Sequence, residues 1–403
     1  MKLRVLFLDD EPLVLQGLQR MLRSMRGEWE MVFVESGAKG LEAMAAGEFD
    51  AVVSDMLMPG MNGAEFLTQV RRQYPKTIRF ILSGHADRTM VLECTGCAHQ
   101  FLAKPCNPET LKTLVTRAAL LARSIHNEEV LAKLSTVDFL PAQPALLERL
   151  VAELNAPEPS LPAAAAIIAQ DTGLTALVLK LTNSAFFGSA RRLANPADAA
   201  LSLGLEVLKA LTLPVDGRSR MQPVDVDHFS VDALWRHSYE TGLCAKLIAE
   251  AENADPKIVD EAFAAGLLHD VGKFVLASSF NERYAQALEL ARAKGLALSS
   301  AEVELFGFSH AEVGGALFAL WGLPDGVVDA ITWHNNPFGS QDQAFTALTA
   351  VHAANTLTQE DPNENTPPPS PIDLPYLTRL GLVERVEGWR NLLRQHATPS
   401  TPL

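Results

Sequence analysis

The sequence predicts two architectures in tandem: an α/β domain built on a five-stranded parallel sheet, then an all-α helical bundle. Three observations carry this expectation. Short apolar runs alternate with helix-period segments over residues 1–121, the pattern of a parallel sheet covered on both faces. Four of those runs end in polar residues of complementary chemistry. From Phe139 onward helix signals dominate and β-type alternation disappears, as in a bundle.

Taken in order, Arg4–Leu8 is an apolar strand that ends in Asp9-Asp10-Glu11. A helix follows from about Pro12 to Met25, with Val14, Leu15, Leu18, Met21 and Leu22 on one face. Met31–Val34 is the second strand. Ala38–Ala46 is the second helix, stopped by Gly47. Ala51–Val53 is the third strand and delivers Ser54-Asp55 to its carboxyl edge. Met58-Pro59-Gly60 turns the chain, and Asn62-Gly63 leads into a helix over Ala64–Arg72. Thr77–Leu82 ends in Ser83-Gly84, and His99–Ala103 ends in Lys104-Pro105. Pro108–Arg123 closes the domain as a helix, and its pattern predicts a continuous connector through Ser124-Ile125-His126 to Leu134.

Open α/β sheets bind their ligands at the carboxyl ends of the strands. Here those ends present an acidic pair, a further Asp, a hydroxyl and a lysine. Paired carboxylates suit Mg²⁺, which takes oxygen ligands and keeps several waters. A lysine ammonium offsets charge on a transferring phosphoryl group, and a hydroxyl hydrogen-bonds the product phosphate. A lone Asp in a strand-to-helix loop is ordinary; four such elements in order point to phosphoryl transfer at Asp55.

This order resembles the receiver domain of two-component response regulators over roughly residues 1–121. The resemblance implies a flavodoxin-like fold with Asp55 as phosphoacceptor. It implies a Mg²⁺ site at Asp9, Asp10 and Asp55 with the Met56 carbonyl. It assigns Ser83 as switch hydroxyl, Phe101 as switch aromatic and Lys104 as phosphate-binding lysine, with a cis Lys104-Pro105 bond. An unphosphorylated pseudo-receiver is the alternative.

The second half opens on Leu140-Pro141-Ala142-Gln143-Pro144 and continues as helices over Ala145–Leu154, Leu161–Gln170, Leu174–Leu181, Pro196–Leu203 and Glu206–Leu213. Asp171 and Asn183-Ser184 are polar among apolar neighbours and read as helix caps or as partners for backbone groups. Leu140–Leu213 resembles the N-terminal half of the HD-related output domain, HDOD. Trp235–Ala251 and Glu261–Val275 are further helices, the latter carrying His269-Asp270-Val271-Gly272-Lys273. His310, His334 and His352 lie on later ones.

Imidazoles and a carboxylate from several helices of a bundle make metal sites, and N/O ligation suits Fe, Mn or Zn. The candidate set is His237, His269, Asp270, His310 and His334. The adjacent pair His269-Asp270 points in different directions around one helix, so it can share an ion only above that helix. The set resembles the HD-superfamily phosphohydrolases, which implies a phosphate-binding role for Lys273. Two departures weaken that likeness. Asn355 stands where the superfamily carries its distal metal Asp, and His334-Asn335-Asn336-Pro337 replaces a Gly-Tyr-Pro signature. The HDOD resemblance itself implies a non-catalytic signalling module.

Residues 1–121 hold 14 Lys/Arg and 14 Asp/Glu, so the whole net charge of −14 falls on residues 122–403. Ala301–Ser370 contains no Lys or Arg. Binding nucleic acid needs a basic surface, which argues against a DNA-binding output. No apolar run reaches the length of a membrane span, and the N-terminal pattern is not a signal peptide, so a cytoplasmic protein is expected. Cys94, Cys97, Cys106 and Cys244 read as buried free thiols despite the Cys-x-x-Cys spacing.

The expected organisation is therefore a receiver at 1–121, a helical junction at 122–136, an HDOD bundle at 137–357, and a Pro-rich loop with a C-terminal extension at 358–403. Asp361–Pro369 reads as flexible and Pro399–Leu403 as disordered. The expected partners are a sensor histidine kinase and an unidentified downstream protein, with a homodimer as a further candidate. The rival function is a receiver-gated metal-dependent phosphodiesterase acting on a cyclic dinucleotide or nucleotide. An inert receiver used for dimerisation is a third.

Overall fold

The computed structural model describes residues 2–84, 94–124, 127–187, 192–218, 224, 226–227, 229–358, 368 and 370–396. The first domain is a five-stranded sheet in the order β2-β1-β3-β4-β5, with β1 Leu3–Leu8, β2 Trp29–Val34, β3 Ala51–Asp55, β4 Ile78–Gly84 and β5 Gln100–Lys104. All four pairings are parallel. The central strands are buried on both faces, which is why β1, β3 and β4 read as unbroken apolar runs. Phe7, Val52, Phe66 and Phe80 anchor this core.

Local chemistry sets the helix starts. Asn62 and Glu65 form a reciprocal capping box for helix Gly63–Gln73. Gly63 is needed there, because a Cβ would lie 2.2 Å from the Asp55 carbonyl oxygen. Helix Pro12–Met21 starts on proline and gives way to a 3₁₀ turn at Arg23–Gly27, four residues before the expected end.

The second domain is helical throughout its described residues. Helix Thr172–Thr182 is buried on every side. Asp171 caps it, as expected, through Leu174 N at 2.7 Å, and also accepts from Gln143 N at 2.6 Å. The long helix Val231–Ala251 crosses helix Pro256–Leu268 where Gly242 meets Gly266; a Cβ on Gly266 would lie 2.7 Å from the Gly242 Cα. Helices Leu374–Leu380 and Val386–His396 fold back onto the bundle, and Trp389 Nε1 donates to Glu252 at 2.7 Å.

Three expectations are corrected. The helix expected at Glu261–Val275 is two helices, Pro256–Leu268 and Val271–Ser279, broken at His269-Asp270. At the break Gly272 lies against helix His310–Leu320 so closely that a Cβ would sit 1.9 Å from the His310 carbonyl oxygen. The connector is also interrupted. Helix Pro108–Ser124 and helix Glu128–Leu134 are separate, because the Asn127 side chain caps the second by accepting from Glu129 N and Val130 N. Cys97 is a buried free thiol as expected, whereas Cys106 and Cys244 are only half-buried.

The expected Asp361–Pro369 loop, apart from Pro368, the Pro399–Leu403 tail and residues 125–126 of the connector lie outside the described residues, as does the Cys94 side chain.

The two domains pack together along β5. As an edge strand it has a free row of backbone groups to satisfy. Phe186 N from the bundle donates to Phe101 O at 3.2 Å, and the Gln100 amide donates to Leu320 O at 2.9 Å. Arg71 adds an ion pair to Asp138 at 2.6 Å. Among the described residues, no single helix is long and apolar enough to cross a membrane.

Candidate functional sites

The first site sits at the carboxyl edge of the sheet. Asp9 and Asp10 follow β1, Asp55 ends β3, and Lys104 ends β5. Oxygens of Asp9, Asp10 and Asp55 lie within 4.8 Å of one another. Lys104 Nζ bridges two of them, 2.7 Å from Asp9 Oδ2 and 2.6 Å from Asp55 Oδ1. Asp9 Oδ1 also accepts from Glu11 N at 3.0 Å. The Met56 carbonyl lies directly after Asp55 and accepts from Gly63 N at 2.9 Å. Ser83 is fully buried on β4, in register with Ala103 beside Lys104. Phe101 is fully buried three residues before Lys104. The Lys104-Pro105 bond is cis.

Burial pushes the Asp55 carboxyl above its ordinary range, against the hydrogen bond and charge of Lys104. Burial acts to lower Lys104, but Asp55 and Asp9 together raise it. An all-oxygen, carboxylate-rich donor set beside a lysine fits Mg²⁺. The structure thus brings Asp9, Asp10, Asp55 and Lys104 together, with Ser83 one residue beyond Leu82, the β4 partner of Asp55.

The second site lies inside the bundle. The helix break lets both members of the adjacent pair face one centre, so the expectation that they point apart is corrected. His269 Nε2 is 3.4 Å from Asp270 Oδ2. His237 Nε2 lies 3.7 Å from the same oxygen. On the other side, Asp270 Oδ1 is 3.2 Å from His310 Nε2 and 3.8 Å from His334 Nε2. Two groups of three therefore share Asp270, rather than five ligands surrounding one point.

The imidazoles are oriented from behind. His269 Nδ1 bonds Gly266 O at 2.7 Å and His334 Nδ1 bonds Ile331 O at 2.8 Å. A ring nitrogen facing a carbonyl carries a proton, so each ring presents its Nε2 to the centre. His310 Nδ1 bonds Glu302 Oε2 at 2.6 Å. Among the described residues, the buried His269 Nε2 and Asp270 Oδ1 make no hydrogen bond of full geometry, although His310 Nε2 lies 3.2 Å from the latter. Such under-paired atoms in an N/O set fit a transition metal. Lys273 Nζ lies 2.6 Å from Asp270 Oδ2, and Asn355 Oδ1 lies 3.0 Å from His237 Nε2.

Burial would raise Asp270, but His269 and Lys273 hold it well below the usual carboxylate range. Burial, with the neighbouring imidazoles, holds His334 well below the usual range and His237 at about 4. His310 is raised: burial opposes its charge, but Glu302 and Asp270 overcome that.

Sequence reasoning missed three contributors. Glu302 is completely buried on helix Leu298–Phe306 and belongs to no motif. Asn335 Nδ2 lies 2.9 Å from His310 Nε2 and 2.8 Å from His334 Nε2. His352 Nδ1 lies 2.8 Å from His334 O, and its Nε2 accepts from Asp373 N at 2.9 Å. His352 and Asn335 stood inside histidine-bearing stretches, but only packing shows which way they face.

Residues 5–116 match the response regulator receiver domain, and residues 140–337 match the HDOD domain. An uncharacterized protein of Treponema pallidum is 28% identical over 235 residues, which is 57% of this chain and 45% of that protein. A cyclic di-GMP phosphodiesterase of Thermotoga maritima is 26% identical over 115 residues, which is 28% of this chain and 30% of that protein. The chain thus spans less than half the length of either relative. The MmoQ response regulator of Methylococcus capsulatus has a crystal structure at 25% identity and a TM-score of 0.47, covering 64% of this chain and 98% of that one. A receiver domain implies Mg²⁺ binding and pairing with a histidine kinase. The chain belongs to the response regulators in which an N-terminal receiver domain is joined to a C-terminal HDOD domain.

Proposed function

We propose that Asp55 accepts a phosphoryl group from a sensor histidine kinase and that the HDOD bundle relays the change by binding a downstream protein. The observation that carries this is the shared ammonium: Lys104 holds Asp55 and Asp9 together at the ends of three strands. In the transfer, an Asp55 oxygen forms a bond to phosphorus while the bond from phosphorus to the donor nitrogen breaks. Lys104 is placed to pair with the charge on the transferred oxygens. Asp9, Asp10, Asp55 and the Met56 carbonyl would hold Mg²⁺, which supplies further positive charge when bound. Ser83 is the hydroxyl nearest in register to receive the phosphate, and Phe101 is the aromatic whose packing follows.

The test is intact-mass spectrometry after incubation with Mg²⁺ and acetyl phosphate. An acid-labile adduct that disappears in Asp55→Asn supports the reading; no adduct on the wild type refutes it.

A second reading rests on the imidazoles that turn Nε2 toward Asp270. His237, His269, Asp270, His310 and His334 would hold Fe, Mn or Zn, which would act on a phosphodiester with Lys273 beside it. Asn355 in place of a carboxylate counts against hydrolysis. Metal content after purification without chelator, compared with His269→Ala, tests binding. Turnover of a cyclic dinucleotide with added Mn²⁺ tests catalysis.

A further inference from the structure

The two halves of the bundle cluster differ in what faces them. Asp270 is common to both: Oδ2 lies beside His237 and His269, and Oδ1 beside His310 and His334. Each half brings three ligand atoms within 4.8 Å of one another. By residue type alone, either half fits a transition metal.

In the His310–His334 half a neighbouring side chain has taken the place of an ion. Asn335 Nδ2 lies 2.9 Å from His310 Nε2 and 2.8 Å from His334 Nε2. A metal held by both rings needs to sit about 2.1 Å from each nitrogen, in the space this amide covers. An amide nitrogen carries two donor hydrogens and no acceptor, so it cannot join the coordination shell itself. The carboxamide is also held the right way round. Ser370 Oγ donates to Asn335 Oδ1 at 3.0 Å, which keeps the oxygen away from the rings and Nδ2 toward them. Asn335 is short and directly follows His334, whose ring is fixed by Ile331 O at 2.8 Å, so the amide has little room to withdraw.

The other half receives a different atom. Asn355 turns its oxygen inward, with Oδ1 3.0 Å from His237 Nε2, and a carbonyl oxygen is a metal-ligand type. His269 Nε2 makes no hydrogen bond of full geometry among the described residues. Lys273 Nζ lies 2.6 Å from Asp270 Oδ2, but its side chain is 18% exposed. That ammonium ends a flexible four-carbon stem and can swing aside for an ion.

We infer that Asn335 is a built-in stopper: its carboxamide holds the ion position between His310 and His334, and any metal the bundle takes is confined to His237, His269 and Asp270. This narrows the second reading above and rests on it, in that the donor set must be able to take a transition metal. The stopper also gives the bundle's chemistry a direction. Two neighbouring ions clamp the attacking and leaving oxygens of a phosphodiester. With one half stopped, the second ion is withheld, and the cluster is a binding centre rather than a hydrolytic pair.

Equilibrium dialysis of the full chain against Mn²⁺, with bound metal counted by atomic emission, tests the stopper. The wild type is expected to bind one equivalent, with the electron paramagnetic resonance spectrum of an isolated ion. His237→Ala is expected to weaken that binding at least tenfold. Asn335→Asp, which turns the amide donor into a carboxylate of the same shape, is expected to bind two equivalents and to give a spin-coupled spectrum. Should Asn335→Asp not fold, Asn335→Ala, which removes the amide outright, carries the same expectation of a second equivalent. One equivalent in both the wild type and the Asn335 variant, two in the wild type, or an ion kept in His237→Ala overturns the stopper and leaves the metal reading intact. No metal in the wild type but one equivalent in the Asn335 variant refutes the metal reading and upholds the stopper. No metal in either refutes both.

Discussion

Glu302 accepts two hydrogen bonds from His310 through one oxygen, 2.8 Å from the backbone N and 2.6 Å from ring Nδ1. This carboxylate fixes both the start of helix His310–Leu320 and the direction of its first side chain. Glu302→Ala leaves a buried imidazole and a buried N–H without their partner. Removing one member of such a buried pair costs on the order of 3–5 kcal/mol. Urea unfolding of the full chain is expected to show that loss. Glu302→Gln, which keeps an acceptor of the same shape, should lose less than half as much.

Lys104 is the positive charge between two buried carboxylates. Lys104→Met leaves Asp55 and Asp9 facing each other uncompensated, so the Asp55 carboxyl rises further above its ordinary value. Uptake needs the carboxylate, and its acid limb therefore moves to higher pH in the variant. Loss of a preorganised charge of this kind slows transfer on the order of 10²–10³-fold. The rate of mass gain with acetyl phosphate, followed across pH, measures both effects.

Asp171 carries a pH signature. Burial raises its carboxyl from 3.8 to about 6, despite the N–H groups of Leu174 and Gln143 that favour the anion. The native state therefore binds this proton more tightly than the unfolded chain does. Its contribution to stability is complete below 3.8 and is lost as pH rises through about 6. A shift of that size corresponds to roughly 3 kcal/mol. The difference in unfolding free energy between wild type and Asp171→Asn should change over this window and flatten above it.

Gly272 marks the helix crossing that positions His310. A methyl group there would meet the His310 carbonyl oxygen at 1.9 Å, backbone against backbone, with no flexible side chain to yield. Gly272→Ala is expected to cost about 1–3 kcal/mol or more. It should also displace His310 from Asp270, which histidine ring NMR shifts would report. An unshifted His310 in a folded variant would contradict the crossing.

The site at the carboxyl edge of the sheet was legible because its parts are written locally. Each strand is a short apolar run, and each run stops at a polar residue of the cluster: Asp9, Asp55, Ser83 or Lys104. A parallel sheet places all those ends on one edge, so order along the chain became proximity in space. The bundle cluster was only half legible. His237, His269, Asp270, His310 and His334 stood out as residue types, but helical periodicity carried straight through His269-Asp270.

By itself, then, the sequence determined the fold classes, the polar carboxyl edge of the sheet and the histidine set, since apolar period and residue chemistry are local properties. The tertiary structure alone decided the break at His269-Asp270, the carboxylate of Glu302 behind His310, and the docking of Phe186 on β5. Each of those depends on which backbone or side chain arrives from a distant part of the chain, and no window of sequence contains both partners.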